Sequence, residues 1–114
     1  MAGTFDLEVS TEETARALRD GEAEVIDVRE PYERDAGYVA GTRHVEMAAL
    51  AEEARSLDPE RPLIFLCRVG GRSLMAAQAF RRAGYAAYSM AGGLLAWAGE
   101  GRPLEPEGGY VAEH

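Results

Sequence analysis

The 114-residue sequence has no lysine, no asparagine and only one cysteine. A single cysteine excludes an internal disulfide, which suits a reducing compartment. No apolar run approaches the roughly 20 residues of a membrane-spanning helix. The N-terminal residues also lack the basic segment followed by an apolar one that marks a secretory signal. We therefore expect a single cytoplasmic domain without a membrane partner.

The charged residues are unevenly divided between the two signs. All twelve basic residues are arginines, and twenty acidic residues give a formal net charge of −8. Because a negative surface repels a phosphate backbone, nucleic acid is not an expected partner. Hydrophobic residues make up 46% of the chain, which is enough for an ordinary globular core.

Short apolar segments alternate with helical patterns along the chain. The predicted strands are 24–28, 44–45, 63–66 and 85–90. The predicted helices are 11–20, 47–57, 74–82 and 92–97, with a brief helix or turn at 31–35. This alternation predicts an α/β fold with a parallel sheet covered by helices on both faces. Ligands of such sheets bind beyond the carboxyl ends of the strands. The prolines, glycines and charges of residues 101–114 predict a loosely ordered tail.

Cys67 lies where the apolar strand 63–66 meets a loop of glycines and arginines. Glycines allow several N–H groups to converge on one point, and the start of the following helix favours an anion. Arg68 and Arg72 add positive charge. All of these features lower a thiol pKa, so we interpret Cys67 as a nucleophile. The alternative, a cysteine that serves only as a small buried hydrophobe, requires neither the glycines nor the arginines.

Four segments carry a resemblance to a known family. They are VIDVREPYE (25–33), AGYVAGT (36–42), CRVGGRS (67–73) and GGLLAW (92–97). Their order and spacing resemble the rhodanese superfamily over about residues 5–104, although Tyr38 and Ala40 replace the usual His and Pro. The resemblance implies one rhodanese domain within 1–114, with a tail at 105–114. It also implies a five-stranded parallel sheet flanked by helices on both faces.

The resemblance further implies a sulfurtransferase that uses Cys67 as its catalytic residue. The thiolate takes a sulfur atom from thiosulfate or a related persulfide or polysulfide, and the Cys67 persulfide passes it to cyanide or a thiol, protein thiols included. No metal or organic cofactor is implied. The expected site residues are those of the anion loop and three supporting residues, Arg68, Val69, Gly70, Gly71, Arg72 and Ser73 with Asp27, Arg29 and Glu33.

Individual side chains in this site have more than one candidate role. Arg72 either binds the donor's sulfonate or braces the loop through Glu33 or Asp27. Ser73 is either the N-cap of the following helix or a donor to the sulfur, and capping requires the fewer assumptions. Arg68 either contacts substrate at the pocket rim or is a solvated surface arginine, and we interpret His44 as a structural or surface residue rather than a base.

Other functions remain as alternatives. A non-enzymatic binding or sulfur-carrier module is the second reading, and the intact nucleophile favours the enzyme over it. A cysteine phosphatase or arsenate reductase is the third. Four residues separate Cys67 from Arg72, whereas cysteine phosphatases have five, so the loop favours a single sulfur over a tetrahedral phosphate. Val69 and Glu33 stand where thiosulfate:cyanide enzymes often carry cations, so the donor's identity stays open.

Overall fold

A computed structural model describes residues 6–114, and five strands alternate there with helices. The strands are β1 (Glu8–Val9), β2 (Glu24–Asp27), β3 (Arg43–His44), β4 (Leu63–Leu66) and β5 (Ala87–Met90). The α-helices are α1 (Thr11–Asp20), α2 (Pro31–Ala36), α3 (Leu50–Glu53), α4 (Gly71–Arg82) and α5 (Gly93–Gly99). None of these helices is long and apolar enough to cross a membrane.

All neighbouring strands of the single sheet are parallel, in the order β1-β5-β4-β2-β3. The predicted five-stranded parallel sheet is therefore confirmed. Strand β1 has only two residues, too few for an alternation pattern, and the sequence pattern alone did not reveal it. Strand β4 is the central strand, and β2 lies beside it with Asp27 opposite Leu66, so their carboxyl ends adjoin.

The two faces of the sheet bury separate apolar clusters. On one face Phe65 and Cys67 pack with Phe80 of α4 and Leu50 of α3. On the other face Leu66 belongs to a cluster that includes residues of α1 and α5. Since successive residues of a strand point to opposite faces, a fully buried strand such as β4 supplies both clusters. The predicted coverage of both faces is confirmed.

Local capping signals predicted helix α1 well. Ser10 and Glu13 form the expected capping box, each accepting a hydrogen bond from the other's backbone N–H at 2.9 Å. Gly21 ends the helix in the left-handed conformation. The predicted continuous helix 47–57 is wrong, because it divides into a 3₁₀ turn, α3 and a second 3₁₀ turn. There the Ser56 hydroxyl donates to the Glu53 carbonyl at 2.7 Å and competes with regular helix bonds.

The tail is packed on the domain, and the expectation of a loosely ordered segment is wrong. Tyr38 and Glu105 form an antiparallel bridge with N···O distances of 2.9 and 2.7 Å. The Tyr110 N–H then donates to the Ala36 carbonyl at 2.9 Å. A Cβ atom at Gly37 would lie 2.5 Å from the Tyr110 carbonyl oxygen, so only glycine permits this approach. Composition gives no indication of this distant backbone partner.

Candidate active site

The carboxyl ends of β2 and β4 bring two predicted site segments together. The Val28 N–H donates to the Leu66 carbonyl at 3.0 Å, so the chain beyond β2 runs beside the chain entering the cysteine loop. Cys67 immediately follows β4 on the face that carries Phe65, Ala76 and Phe80. The topology therefore places Cys67 and the Asp27–Arg29 segment on one rim, as the sequence predicted.

Polar groups of the loop converge on the Cys67 sulfur. The N–H of Gly70 donates to Sγ at 3.1 Å, and the N–H of Ser73 donates at 3.5 Å. The Ser73 hydroxyl lies 3.5 Å from the same sulfur. These donors surround an acceptor that is strongest when it carries a negative charge. The arrangement is therefore suited to a thiolate.

The loop owes its shape to one left-handed glycine and to two hydrogen bonds from helix α5. Gly70 has φ +111°, which turns the chain so that its own N–H points back toward Sγ. The N–H groups of Leu94 and Leu95 in α5 bind the carbonyl oxygens of Cys67 and Arg68 at 2.9 and 3.0 Å. With these carbonyls held by α5, the later N–H groups of the loop remain directed at the sulfur.

The hydrogen bonds outweigh the effect of burial on the thiol. Burial raises the pKa of Cys67, whereas the hydroxyl and N–H of Ser73 and the N–H groups of Gly70 and Val69 lower it, and the net pKa lies below the ordinary value. The sequence predicted that the positive charges of Arg68 and Arg72 also lower this pKa. The backbone and Ser73 instead make the principal lowering contributions.

The sulfur itself is enclosed. Cys67 is only 1% exposed, whereas the neighbouring Val69 is 54% exposed. A donor therefore reaches Sγ through a narrow opening or after a displacement of the loop.

Arg72 forms a two-pronged ion pair with Glu33. Its Nη1 and Nη2 atoms lie 2.8 and 2.9 Å from Oε2 and Oε1 of the fully buried carboxylate. Burial raises the pKa of Glu33, but hydrogen bonds from Arg72 and the Glu30 N–H, with the charges of Arg72 and His114, give a net lowering. The bond to Glu33 also raises the pKa of Arg72. The bracing contact proposed for Arg72 is thus present, and it partly neutralises the guanidinium.

Asp27 and Arg29 form a second buried ion pair that supports the first. Arg29 Nε and Nη2 donate to the two carboxylate oxygens of Asp27 at 2.9 and 2.8 Å, and neither side chain is exposed. Arg29 also donates to the carbonyl oxygens of Glu33 at 3.3 Å and Gly37 at 2.8 Å. These bonds hold the C-terminal end of α2, the helix that presents Glu33 to Arg72.

Two expectations about the loop require correction. Helix α4 begins at Gly71 rather than at Leu74, and Gly70 is its N-cap. Ser73 consequently occupies the third helical position, so the capping role is wrong and the sulfur contact is present.

Two further side chains were predicted near the site. Arg68 is partly buried, and its Nε has no partner among the described residues. His44 contacts the Arg29 carbonyl oxygen at 2.8 Å, in keeping with a structural role.

The sequence pattern did not reveal Ser89, whose Oγ lies 2.7 Å from the Ser73 hydroxyl. Ser89 is opposite Phe65 in the register of β5 with β4, and a strand's period of two places Phe65 and Cys67 on the same face. If β4 and β5 are known to be neighbours, this alternation predicts that Ser89 lies on the same face of the sheet as Cys67.

A cavity of about 160 Å³ adjoins Arg72. Its walls include Val28 and Met47, which pack in the same cluster as Cys67, together with Glu30, Glu46 and His114. Its carboxylates make it poorly suited to a highly charged anion. Within residues 6–114, no group of three or more His, Cys, Asp or Glu side chains is placed to hold a metal ion.

Comparison with known proteins places this geometry among related domains. The sequence matches the rhodanese-like domain family over residues 10–100. The thiosulfate sulfurtransferase GlpE of Pseudomonas aeruginosa (strain LESB58) is 35% identical over 86 residues, covering 75% of this chain and 78% of that protein. GlpE of Stutzerimonas stutzeri is 33% identical with coverages of 75% and 79%. A rhodanese-related protein of Thermoplasma volcanium superposes with a TM-score of 0.78 at 25% identity, covering 85% and 95% of the chains.

Proposed function

Because this chain belongs to the rhodanese-like domain family, we propose that it is a sulfurtransferase with Cys67 as its nucleophile. The donor is thiosulfate or another molecule with sulfane sulfur, such as a persulfide or polysulfide. The acceptor is a thiol or cyanide. The relatives named thiosulfate sulfurtransferases support this reaction class.

The proposed reaction has two displacement steps. In the first, the Cys67 thiolate attacks the outer sulfur of thiosulfate, a new S–S bond forms, and sulfite leaves with the electron pair of the broken bond. In the second, an acceptor thiolate attacks the outer sulfur of the Cys67 persulfide. The Cys67 S–S bond then breaks, and its electron pair returns to Sγ as the thiolate.

The observation that carries the proposal is the set of donors around Sγ. The N–H groups of Gly70 and Ser73 and the Ser73 hydroxyl all lie within 3.5 Å of the sulfur. They stabilise the attacking thiolate and, in the second step, the same anion as leaving group. A purely structural cysteine gains nothing from this arrangement.

A non-enzymatic sulfur-carrier or binding module is the second candidate. The 1% exposure of Cys67 favours the carrier module, because an enclosed sulfur exchanges slowly. The lowered pKa favours the enzyme, because it increases the fraction of reactive thiolate at neutral pH. The enzyme and the carrier differ in how they react with a small acceptor. The enzyme transfers its sulfur to cyanide or a small thiol, whereas a carrier retains the sulfur until a specific partner binds.

Intact-protein mass spectrometry tests the proposal. We expect the wild-type protein to gain the mass of one sulfur atom on incubation with thiosulfate or inorganic polysulfide. Cyanide or glutathione should then remove that mass and yield thiocyanate or a glutathione persulfide. Cys67→Ala should acquire no adduct. Because Cys67 is the single cysteine, the site of the adduct is unambiguous.

Two results would count against this function. Wild-type protein that acquires no sulfur from either donor would contradict the transferase reading. Protein that loads sulfur but releases none to cyanide or to small thiols would support the carrier module instead.

A further inference from the structure

Ser89 is a buried serine that reaches the site through another serine. Its Oγ lies 2.7 Å from Ser73 Oγ, which is 3.5 Å from the Cys67 sulfur. Ser89 and Ser73 have no solvent exposure. A line of two hydroxyl groups therefore runs from β5 through the first turn of α4 to Sγ, without access to water.

The number of hydroxyl protons determines which serine donates and which accepts. Each hydroxyl has one proton, and the Ser89 hydroxyl has one contact among the described residues, the Ser73 oxygen. If Ser73 donated to Ser89, the Ser89 proton would be buried without an acceptor, which is costly. The Ser89 hydroxyl thus donates to Ser73. The Ser73 proton is then free for either Sγ or the Gly70 carbonyl oxygen at 3.2 Å.

The Gly70 carbonyl already has a partner. The Leu74 N–H donates to it at 3.0 Å, as the first regular turn of α4 requires. The Cys67 thiolate, by contrast, carries a full negative charge and attracts a hydroxyl proton more strongly than a neutral carbonyl does. The Ser73 proton therefore points to the sulfur when Cys67 is ionised.

From this geometry we propose that Ser89 is a positioning residue that orients and polarises the Ser73 hydroxyl toward the Cys67 thiolate. The inference rests on the proposed function only in taking Cys67 as the nucleophile. Hydrogen bonds in a chain strengthen one another, and burial preserves that effect because water does not compete. Removing the Ser89 hydroxyl therefore weakens a bond that Ser89 itself does not make.

This relay of hydrogen bonds, from Ser89 through Ser73 to the Cys67 sulfur, favours one stage of the proposed reaction. In the persulfide, the negative charge is on the outer sulfur, and Sγ no longer bears it. When an acceptor takes the outer sulfur, the charge returns to Sγ, where the relay stabilises it. A weakened relay should consequently slow the transfer to the acceptor, because the leaving thiolate is less stable.

Charged groups near Cys67 are not part of this relay. The charge of Arg72, from the first turn of α4, acts on Cys67 and is paired with Glu33 of α2. Asp27, at the end of β2, acts on Arg72, and Arg68 follows Cys67 in the chain. None of these side chains contacts Ser89 through a hydrogen bond or ion pair among the described residues. A Ser89 substitution therefore leaves their contacts intact.

The test measures how fast iodoacetamide alkylates Cys67 as a function of pH, with no sulfur donor present. The midpoint of that profile reports the thiol pKa. We expect Ser89→Ala to move the midpoint upward by roughly half a pH unit. Ser73→Ala should move it at least as far. The double variant should match Ser73→Ala, because Ser89 acts only through Ser73.

Two further variants separate a positioning role from a structural one. Ser89→Thr keeps the hydroxyl and should restore the wild-type midpoint. Thr14→Val removes another fully buried hydroxyl, which bonds the Ser10 carbonyl in α1, and should leave the midpoint unchanged. Ser89→Val has the shape of the Ser89→Thr variant without its hydroxyl and suits a strand, so it replaces Ser89→Ala if that variant does not fold.

The proposal is overturned if the folded Ser89 variant titrates like wild type, or if its shift persists in full when Ser73 is also absent. Neither result involves sulfur transfer. A failure of the relay is therefore distinguishable from a failure of the sulfurtransferase proposal, which the mass measurement tests.

Discussion

Glu33 shows how a single residue can link stability to the site. Its carboxylate is fully buried and accepts both hydrogen bonds from Arg72, one residue before Ser73 in α4. A buried ion pair contributes little compared with an apolar pair of the same shape, but removing one partner leaves the other charge uncompensated. Glu33 is thus a position at which a small change in charge has a large effect.

We predict that Glu33→Gln lowers the free energy of unfolding by about 2 kcal/mol at neutral pH. The figure is below that for a fully buried pair, because the Arg72 side chain is 21% exposed and the amide retains one acceptor. Urea denaturation of both proteins measures the difference. Glu53→Gln is the matched control. Glu53 pairs with Arg43 at 3.2 Å but is 46% exposed, so its loss should cost at most about 0.5 kcal/mol.

The same residue predicts how the difference depends on pH. The folded pKa of Glu33 lies below its unfolded value of 4.5, so its contribution is complete above that value. The contribution disappears as the pH falls through the folded pKa. Repeating the denaturation series in increasingly acidic buffers should therefore show the gap between wild type and Glu33→Gln closing below 4.5. A gap that is constant with pH would show that Glu33 does not stabilise the fold through its charge.

At this scale the sequence predicted local chemistry better than distant pairing. Cys67 was predictable because its strand, loop and helix are consecutive in the chain. The partner of Arg72 was narrowed only to Glu33 or Asp27, since 39 residues separate Arg72 from Glu33. Ser89 was not found, because its role depends on the adjacency of β4 and β5 rather than on any nearby motif.

At the scale of elements, helix α5 holds the cysteine loop in place. Its N-terminal residue, Gly93, has φ +60°, and a Cβ atom there would lie 2.5 Å from the Arg68 carbonyl oxygen. The next two N–H groups of α5 bind the Cys67 and Arg68 carbonyls. The glycine pair 92–93 was predicted to open this helix. Glycine is required at position 93 because the backbone there contacts the cysteine loop, and only the folded structure reveals that contact.

We predict that Gly93→Ala destabilises the protein by at least about 2 kcal/mol, through a left-handed backbone and a clash with the loop. Displacement of the loop should also raise the Cys67 pKa and slow its loading with sulfur. Thermal unfolding and the pH profile of alkylation measure the two effects.

Gly99→Ala in the same helix provides the control. A Cβ atom at Gly99 meets no atom within 4 Å, so this change should be neutral or stabilise by up to about 1 kcal/mol. A Gly93→Ala protein as stable as wild type, with an unchanged thiol pKa, would mean that α5 does not determine the loop's shape.

At the scale of the whole molecule, excess negative charge surrounds a site that handles anions. The net charge is −8, and the cavity beside Arg72 includes Glu30 and Glu46. Arg72 is partly neutralised by Glu33. The tail also contributes to the wall of this cavity. It is hydrogen-bonded to residues 36–38, and its last residue, His114, lines the cavity. The net charge is a property of the composition alone, whereas the position of the tail required the structure.

This charge distribution predicts how salt affects the first step of the proposed reaction. Thiosulfate is a dianion, and a protein with charge −8 repels it over distances that salt shortens. The screening length falls from about 30 Å at 0.01 M salt to about 10 Å at 0.1 M. We expect the second-order rate constant for loading Cys67 with thiosulfate to increase several-fold across this range.

Iodoacetamide, which is neutral, provides the reference for this measurement. Salt also shifts the ionisation of Cys67, and the rate of alkylation at the same pH reports that shift without a contribution from donor charge. The rate constant for thiosulfate divided by that for iodoacetamide therefore isolates the repulsion of the dianion. If the ratio falls as salt is added, the nearby charges of Arg68 and Arg72 attract the donor more strongly than the rest of the molecule repels it. That result would favour a thiosulfate site despite the acidic surface, whereas a rising ratio favours donors of lower charge, such as persulfides.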